Sequence, residues 1–403
     1  MNTVYLDNNA TTSIAPEVVE AMMPYLTDIW GNASSVFYET GQRAEQALAE
    51  MRESVAKNIG AKNPNEIYFT ASGCEADNWA IKGIAYAHER KGNHIITTKI
   101  EHHAVLGSCE FLEKHGFEVT YLDVDSEGKV SAEDVEKAIT DKTILITIMT
   151  ANNEIGSIMP IKEIAAVAKK HGVIFHTDAV QAIGHMPINV AELGVDMLSI
   201  SAHKFHGPKG VGMLYIRNGV RIENLIHGGG QERGKRAATE NLAGIAGLTK
   251  ALDMTVSNLD ENIAHMKKMR DRLIDGLLER IDYVKLNGPK DETRLCNNVN
   301  ISYEFVEGES ILMMLNMNNI CASSGSACAS GSLDPSHVLL AIGVPHEIAH
   351  GSIRFSVNEH TTEEEIDYVL EVMPKIINRL RAMSPMYEAF EEGQLESFTK
   401  KLN

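Results

Sequence analysis

Positive charge is scarce in this chain. Its 403 residues carry 37 Lys and Arg against 55 Asp and Glu, a net charge of −18. Such a surface repels a phosphate backbone and an anionic membrane alike, which argues against nucleic-acid binding as the main task. Long apolar runs are missing too. The most nearly apolar stretch, 143–151, is about half of the ~20 residues that a membrane span needs. Met1-Asn2-Thr3 opens no signal peptide, so the expectation is a cytoplasmic protein without membrane contact. Cysteine is sparse as well: Cys74, Cys109, Cys296, Cys321 and Cys328 are odd in number and widely spaced, which offers neither a disulfide framework nor a CxxC zinc site. At least one of them is then a candidate for reactivity. No GxxxxGK[ST] occurs, and neither His227-Gly228-Gly229-Gly230 nor the glycines at 207–212 form a GxGxxG after an early strand. Nucleotide and nicotinamide readings therefore lose their usual footing.

What is present is the balance of a globular enzyme, 44% hydrophobic and 23% charged residues, in a chain long enough for two or three domains. Between 65 and 217 short β-branched runs alternate with amphipathic stretches. The pattern predicts strands at 66–70, 94–98, 118–122, 143–149, 173–177, 197–200 and 211–216, with helices at 75–90, 104–115, 131–139 and 161–171. This is an α/β fold with a mainly parallel sheet. Beyond about 255 long charged helices (260–281, 362–383) flank short strands (297–302, 352–357), which predicts a smaller α+β domain. The expected division is 13–255 for the large domain, 1–12 with 256–385 for the small one, and 386–403 as a mobile or partner-binding tail. No internal repeat or low-complexity segment is present.

In a parallel sheet ligands bind beyond the carboxyl ends of the strands, so those ends carry the argument. After Thr70 comes Ser72-Gly73-Cys74-Glu75, a small-residue turn opening a helix whose N–H groups suit a phosphate. After Thr98 comes Glu101-His102-His103; either imidazole is a cap, a solvated side chain or a functional group. The strand from 143 leads into Asn152-Asn153-Glu154, and that from 173 into Asp178 with Gln181 one turn on. Asp178 is placed to be an N-cap or a buried negative charge. Ser201-Ala202-His203-Lys204 then follows a buried strand. A lysine there is costly to keep charged, and desolvation turns it toward a neutral, nucleophilic amine. A Schiff-base lysine, an acid for a pyridinium nitrogen and a phosphate-binding helix start are what pyridoxal phosphate asks of a protein. Finally, 321–332 is almost wholly small residues, too poor in large side chains to form a core. Cys328 within it is an accessible thiol and the candidate nucleophile. Cys321 reads as a strand end.

These residues resemble the pyridoxal-phosphate cysteine desulfurases of the NifS/IscS group, on the fold shared by type I aminotransferases. The resemblance runs from Tyr5-Leu6-Asp7-Asn8-Asn9 through Ser352-Ile353-Arg354-Phe355-Ser356 to the 362–367 segment, with Ser201-Ala202-His203-Lys204 and 323–330 as its most specific parts. It implies that Lys204 carries the cofactor, His102 stacks on its ring, Asp178 pairs with the ring nitrogen, and Gln181 and Asn153 contact the ring or its hydroxyl. It further implies that Gly73, Cys74, Ser201 and His203 hold the phosphate with Thr239 of the partner subunit in a homodimer, that Arg354 and Asn153 bind the substrate carboxylate, and that Cys328 accepts sulfur from L-cysteine. Cys328 would pass that sulfur to an iron–sulfur scaffold or another acceptor, with a transient cluster-ligand role open to it; no resident metal is implied. Three residues depart from the family pattern: Cys74 for Thr, Ala238 for Gly before Thr239, and Tyr38 for His. A selenocysteine lyase or an aminotransferase shares the cofactor, but transamination has no use for Cys328; a non-enzymatic sulfur or cluster carrier has none for Lys204.

Overall fold

The computed structural model describes residues 3–324 and 335–399. In chain order the strands are β1 (Val4–Tyr5), β2 (Ile67–Thr70), β3 (His94–Thr98), β4 (Glu118–Leu122), β5 (Thr143–Thr147), β6 (Ile174–Asp178), β7 (Met197–Ser201), β8 (Gly212–Ile216), β9 (Val284–Leu286), β10 (Asn298–Tyr303), β11 (Ile320–Cys321), β12 (Ser323–Ser324) and β13 (Ser352–Ser356). β2 to β8 form a seven-stranded sheet in the order β2-β8-β7-β6-β5-β3-β4. All pairs are parallel except those of β8, which runs against both β7 and β2. The mainly parallel α/β expectation holds, with β8 as the reversed strand.

Strand alternation explains how both faces are covered. Phe69, Ile96, Ile146, Phe175, Leu198 and Met213 belong to one buried cluster, while their chain neighbours Tyr68, Ile95, Leu145, Ile174, Met197 and Leu214 pack in another. Successive side chains point to opposite faces, so a run apolar at every position needs helices on both sides. The helix Gly73–His88 brings Trp79, Ile81 and Ile84 to the second cluster, and Ile161–His171 brings Ile164 and Ala168 to the first. The longest helices outside the expected set are Pro16–Thr27, Glu39–Asn58 and Leu242–Ser257. The buried face of the second mixes the small Gly41, Ala44, Ala47 and Ala56 with Leu48, Met51 and Val55 and is interrupted by Arg52, and the third is buried nearly all round.

The later strands β12-β13-β10-β9 form an antiparallel sheet. Val299, Ile301, Ile353 and Phe355 from it pack with Leu273 and Leu277 of the helix Leu259–Arg280 and with Val369, Met373 and Ile377 of Glu363–Arg381. The latter helix opens with a capping box: Glu365 N–H donates to Thr362 Oγ1 and Thr362 N–H to the Glu365 carboxylate. β1 pairs parallel with β11 on this unit. Part of the expected tail is docked on the same unit. A helix Pro385–Glu391 stacks Phe390 on Phe305, and Ser397 Oγ, Phe398 N–H and Thr399 N–H all donate to the buried Glu304 carboxylate.

Candidate active site

Gly73, Cys74, His102, Asn153, Asp178, Gln181, Ser201, His203, Lys204 and Arg354 all line one cavity of about 400 Å3 beyond the carboxyl ends of β2, β3, β5, β6 and β7. Thr239 does not: it is exposed on the loop after the helical turn Gln231–Gly234. That loop is nevertheless tied to the cavity wall, because Arg236 grips Glu75 in the first turn of Gly73–His88 with two bonds of 2.8 and 3.0 Å. Cys328 lies outside the described residues.

Lys204 ends a 3-10 turn, Ala202–Lys204, directly after β7. Its Nζ donates to the carbonyls of Asn9 (2.5 Å) and Ala10 (2.9 Å). The N-terminal segment therefore forms a wall of the cavity, a role the sequence reading missed for Asn9. Gly73 approaches the segment after β6 and the end of β7 closely: a Cβ there would stand 2.8 Å from Val180 Cγ2 and 3.2 Å from Ser201 Cβ. Ser72 caps this helix by accepting from Glu75 N–H.

His102 caps the helix His103–Glu113, its Nδ1 accepting from Ala104 N–H at 3.1 Å. An accepting Nδ1 carries no proton, so the neutral ring holds its proton on Nε2. Burial, reinforced by Lys204 and the neighbouring His103 and His337, pushes His102 down to about 4. Burial with Lys204 and Lys209 nearby does the same to His203, also about 4. Both rings are neutral near pH 7.

The acids behave in the opposite sense. Burial lifts Asp178 to about 6 against a 2.8 Å bond from Val180 N–H and the charge of Lys204. Burial lifts Glu101 to about 8 and Glu154 to about 7, and with the Asp178 charge it raises Asp77 well above the usual carboxylate range. Asp77, Glu101 and Glu154 line the cavity as well and escaped the sequence reading. A signal existed for the last two, since they adjoin His102 and Asn153. Asn152, by contrast, is structural: its Oδ1 accepts from Glu154 and Ile155 N–H and its Nδ2 donates to Ile100 O.

Three buried polar atoms on cavity-lining residues lack hydrogen-bond partners among the described residues: Gln181 Oε1, Arg354 Nε and Asp77 Oδ1, the last with His176 Nε2 no nearer than 3.7 Å. Orphaned atoms of this kind call for a bound polar group. An acid at a strand end, a lysine, a helix start with a glycine at closest approach and an arginine fit a phosphate-bearing pyridine and an amino acid.

The aminotransferase class-V model matches residues 4–369. The chain belongs to that family. As a class-V protein it uses pyridoxal phosphate, which the residues above fit. It is 59% identical over 394 residues to "Cysteine desulfurase IscS" of Clostridium botulinum, covering 98% of this chain and 99% of that one. It is 57% identical to the protein of the same name from Methanosarcina thermophila, over 95% and 94% of the two chains. A solved structure titled "NIFS-LIKE PROTEIN" superposes with a TM-score of 0.88 at 41% identity, covering 94% of this chain and all of the other. Among its departures from the family pattern, Ala238 has a structural consequence: its φ is +104°, a region that glycine occupies freely and alanine does not. Cys74 stands in the first helical turn at the cavity, and Tyr38 precedes the helix Glu39–Asn58 with no side-chain capping bond. Among the described residues no helix is long and apolar enough to cross a membrane.

Proposed function

We propose that the chain is a cysteine desulfurase, converting L-cysteine to L-alanine and leaving the sulfur as a persulfide on Cys328. The observation that carries this reading is the single cavity that brings Lys204, Asp178 and Arg354 together. Pyridoxal phosphate supplies an electron sink for the pair left on the substrate Cα. Lys204 would be its attachment point, and the Lys204 amine is placed to take the Cα proton of the substrate. Asp178 keeps a proton on the ring nitrogen, and Gln181 and Asn153 contact the ring or its hydroxyl. Gly73, Cys74, Ser201 and His203 hold the phosphate through backbone and side-chain donors. His102 stacks on the ring, and its Nε2 proton makes it a donor and shuttle for the substrate thiol. Arg354, with Asn153, binds the substrate carboxylate. The Cys328 thiolate attacks the substrate sulfur; the new S–S bond forms as the S–Cβ bond breaks, and the pair released to Cβ takes up a proton to give the methyl group of alanine.

The functional unit is a homodimer in which Thr239 of the partner subunit completes the phosphate site. Supporting this, Leu26, Trp30 and Phe37 are 60%, 71% and 96% exposed on one N-terminal stretch, large apolar side chains of the kind that a subunit interface covers. The large unit is 13–255, with 1–12 and 256–385 forming the small one. The protein works in the cytoplasm, in keeping with the absence of disulfides among the described cysteines, and passes sulfur to an acceptor protein for iron–sulfur cluster assembly.

The test is an absorbance spectrum with and without L-cysteine, followed by mass spectrometry. The purified protein should absorb at about 400–430 nm, change on adding L-cysteine, and release alanine; Lys204→Ala should lack the band and all turnover. A colourless preparation, fully active without added cofactor, would overturn the reading.

A further inference from the structure

His206, Glu359 and His360 lie outside the cavity just described and take no part in the proposed reaction. Their ligand atoms all fall within 4.8 Å of one another. His206 follows Lys204 by two residues, whereas Glu359 and His360 follow β13, the strand of Arg354, so the cluster joins two parts of the chain that meet only on folding.

The His206 ring is held in one orientation. Its backbone, at φ +63°, is pinned by N–H donation to Thr12 Oγ1 (2.8 Å) and by a carbonyl that accepts from Ala15 N–H (3.1 Å). Nδ1 stands 2.9 Å from the carbonyl oxygen of Ser13. A carbonyl only accepts, so Nδ1 carries the proton and Nε2 is the nitrogen left for a partner. Imidazole ligands of metals are oriented by this same outer bond to a backbone carbonyl.

Nε2 faces Glu359 Oε2 at 3.3 Å. That is long for a charge-assisted hydrogen bond, which settles at about 2.7–2.9 Å. It matches the separation of two donors each about 2.0–2.1 Å from one tetrahedral zinc ion, which stand about 3.3 Å apart. The His360 ring lies edge-on to His206, with centroids 5.7 Å apart, and is exposed on the solvent side. A cavity of about 340 Å3 bounded by Ser13, Asn262 and the three residues themselves leaves room for a water as fourth ligand.

We propose that His206 Nε2, the Glu359 carboxylate and, after a turn of its exposed side chain, the His360 imidazole bind one divalent transition-metal ion, zinc being the one whose donor spacing the His206–Glu359 pair matches. Two imidazoles and a carboxylate favour zinc and its first-row neighbours over calcium or magnesium. The ion clasps the lysine segment to the segment after β13. It is a clasp and not a reaction centre, because none of its three ligands lines the cofactor cavity.

The test is equilibrium dialysis of the cofactor-loaded full chain against zinc, with bound metal counted in wild type, His360→Ala and Glu359→Gln. All three keep every cysteine, so zinc held by thiols is common to them and cancels in the comparison. Wild type should hold one more zinc per chain, and loss of a ligand should weaken that site by at least ~100-fold, beyond what removal of an outer partner costs. X-ray absorption of the extra zinc should show only nitrogen and oxygen neighbours at about 2.0–2.1 Å, without the ~2.3 Å shell of sulfur. Equal zinc in all three proteins, or a sulfur shell on the extra ion, would leave His206 and Glu359 as a plain ion pair and the proposal wrong. His360 is exposed, so its replacement leaves the fold intact, and neither outcome bears on the desulfurase reading.

Discussion

Arg354 Nη2 lies 3.0 Å from Asp7 Oδ1, and this pair joins the centre of the small sheet to the N-terminal segment. Nη1 donates to Asn153 O at 3.1 Å, while Nε has no partner among the described residues. With only 1% of its surface exposed, the guanidinium is held by fixed acceptors through two of its five N–H bonds, and others stay available for a substrate carboxylate in the cavity it lines.

Arg354→Lys should therefore lower kcat/KM for L-cysteine by ~10–100-fold, the worth of one or two charge-assisted hydrogen bonds. The loss should fall mainly on KM, because the carboxylate is bound alike in the ground and transition states. Steady-state alanine formation measures it. An unchanged KM would remove Arg354 from substrate binding.

Sulfur capture is separable from cofactor chemistry. Cys328→Ser should still bind L-cysteine and shift the cofactor spectrum, yet form no persulfide and release almost no sulfide. Cys321→Ser should retain most activity, since Cys321 closes β11 opposite Tyr5. Mass spectrometry that located the added sulfur on Cys321 or Cys74 would reassign the nucleophile.

Acid should destabilise the protein through its buried histidines. His176 bonds Thr147 Oγ1 and Ser199 Oγ, both at 2.9 Å, and burial holds it at about 3 against an ordinary value near 6.5. The native state thus binds fewer protons than the unfolded chain. This contribution is complete above pH ~6.5 and is lost as pH falls toward 3, at up to roughly 1.4 kcal/mol per pH unit. Glu101, lifted to about 8 by burial, acts inversely: its contribution is present below the ordinary carboxylate value and lost as pH rises toward 8. Denaturant melts across pH 4–8 should show His176→Gln flattening the acid limb and Glu101→Gln the alkaline one. Parallel curves for wild type and variants would show that these groups do not govern the pH profile.

Ala238→Gly should raise stability by about 1 kcal/mol or more, because a non-glycine residue at φ +104° is strained. Calorimetry on protein with equal cofactor loading reads this directly. A lower melting temperature would mean that the greater freedom of glycine in the unfolded chain outweighs the strain.

Strand ends are the part of the site that a sequence displays. Lys204, Asp178 and His102 follow apolar runs whose period and length mark them as strands, and a parallel sheet puts those ends on one edge. The acids beneath them are another matter. Asp77 falls in a helix where a polar residue ordinarily faces solvent, and only its 1% exposure shows otherwise. Asn9 was hidden because its partners, Lys204 and Gln181, are more than 170 residues away. The helix Glu39–Asn58 passed unnoticed because only Leu48, Met51 and Val55 mark its buried face strongly, the rest being small residues and a buried Arg52. The reversal of β8 was not readable, since an apolar run looks alike in either direction.

The meeting of Asn9, Lys204 and Arg354 in one chamber also sets an order of events during synthesis. Residues 67–216 supply every strand of the large sheet, and that sheet can assemble while the last third of the chain is still being made. The chamber cannot. β1 finds its partner only at 320–321, and Asn8 is bonded to the carbonyl of Ser356, 348 residues along the chain. A ribosome-bound chain halted near residue 300 should hence present Lys204 on a formed sheet and still fail to retain its cofactor. Coenzyme fluorescence on stalled chains of increasing length should appear only once β13 has emerged.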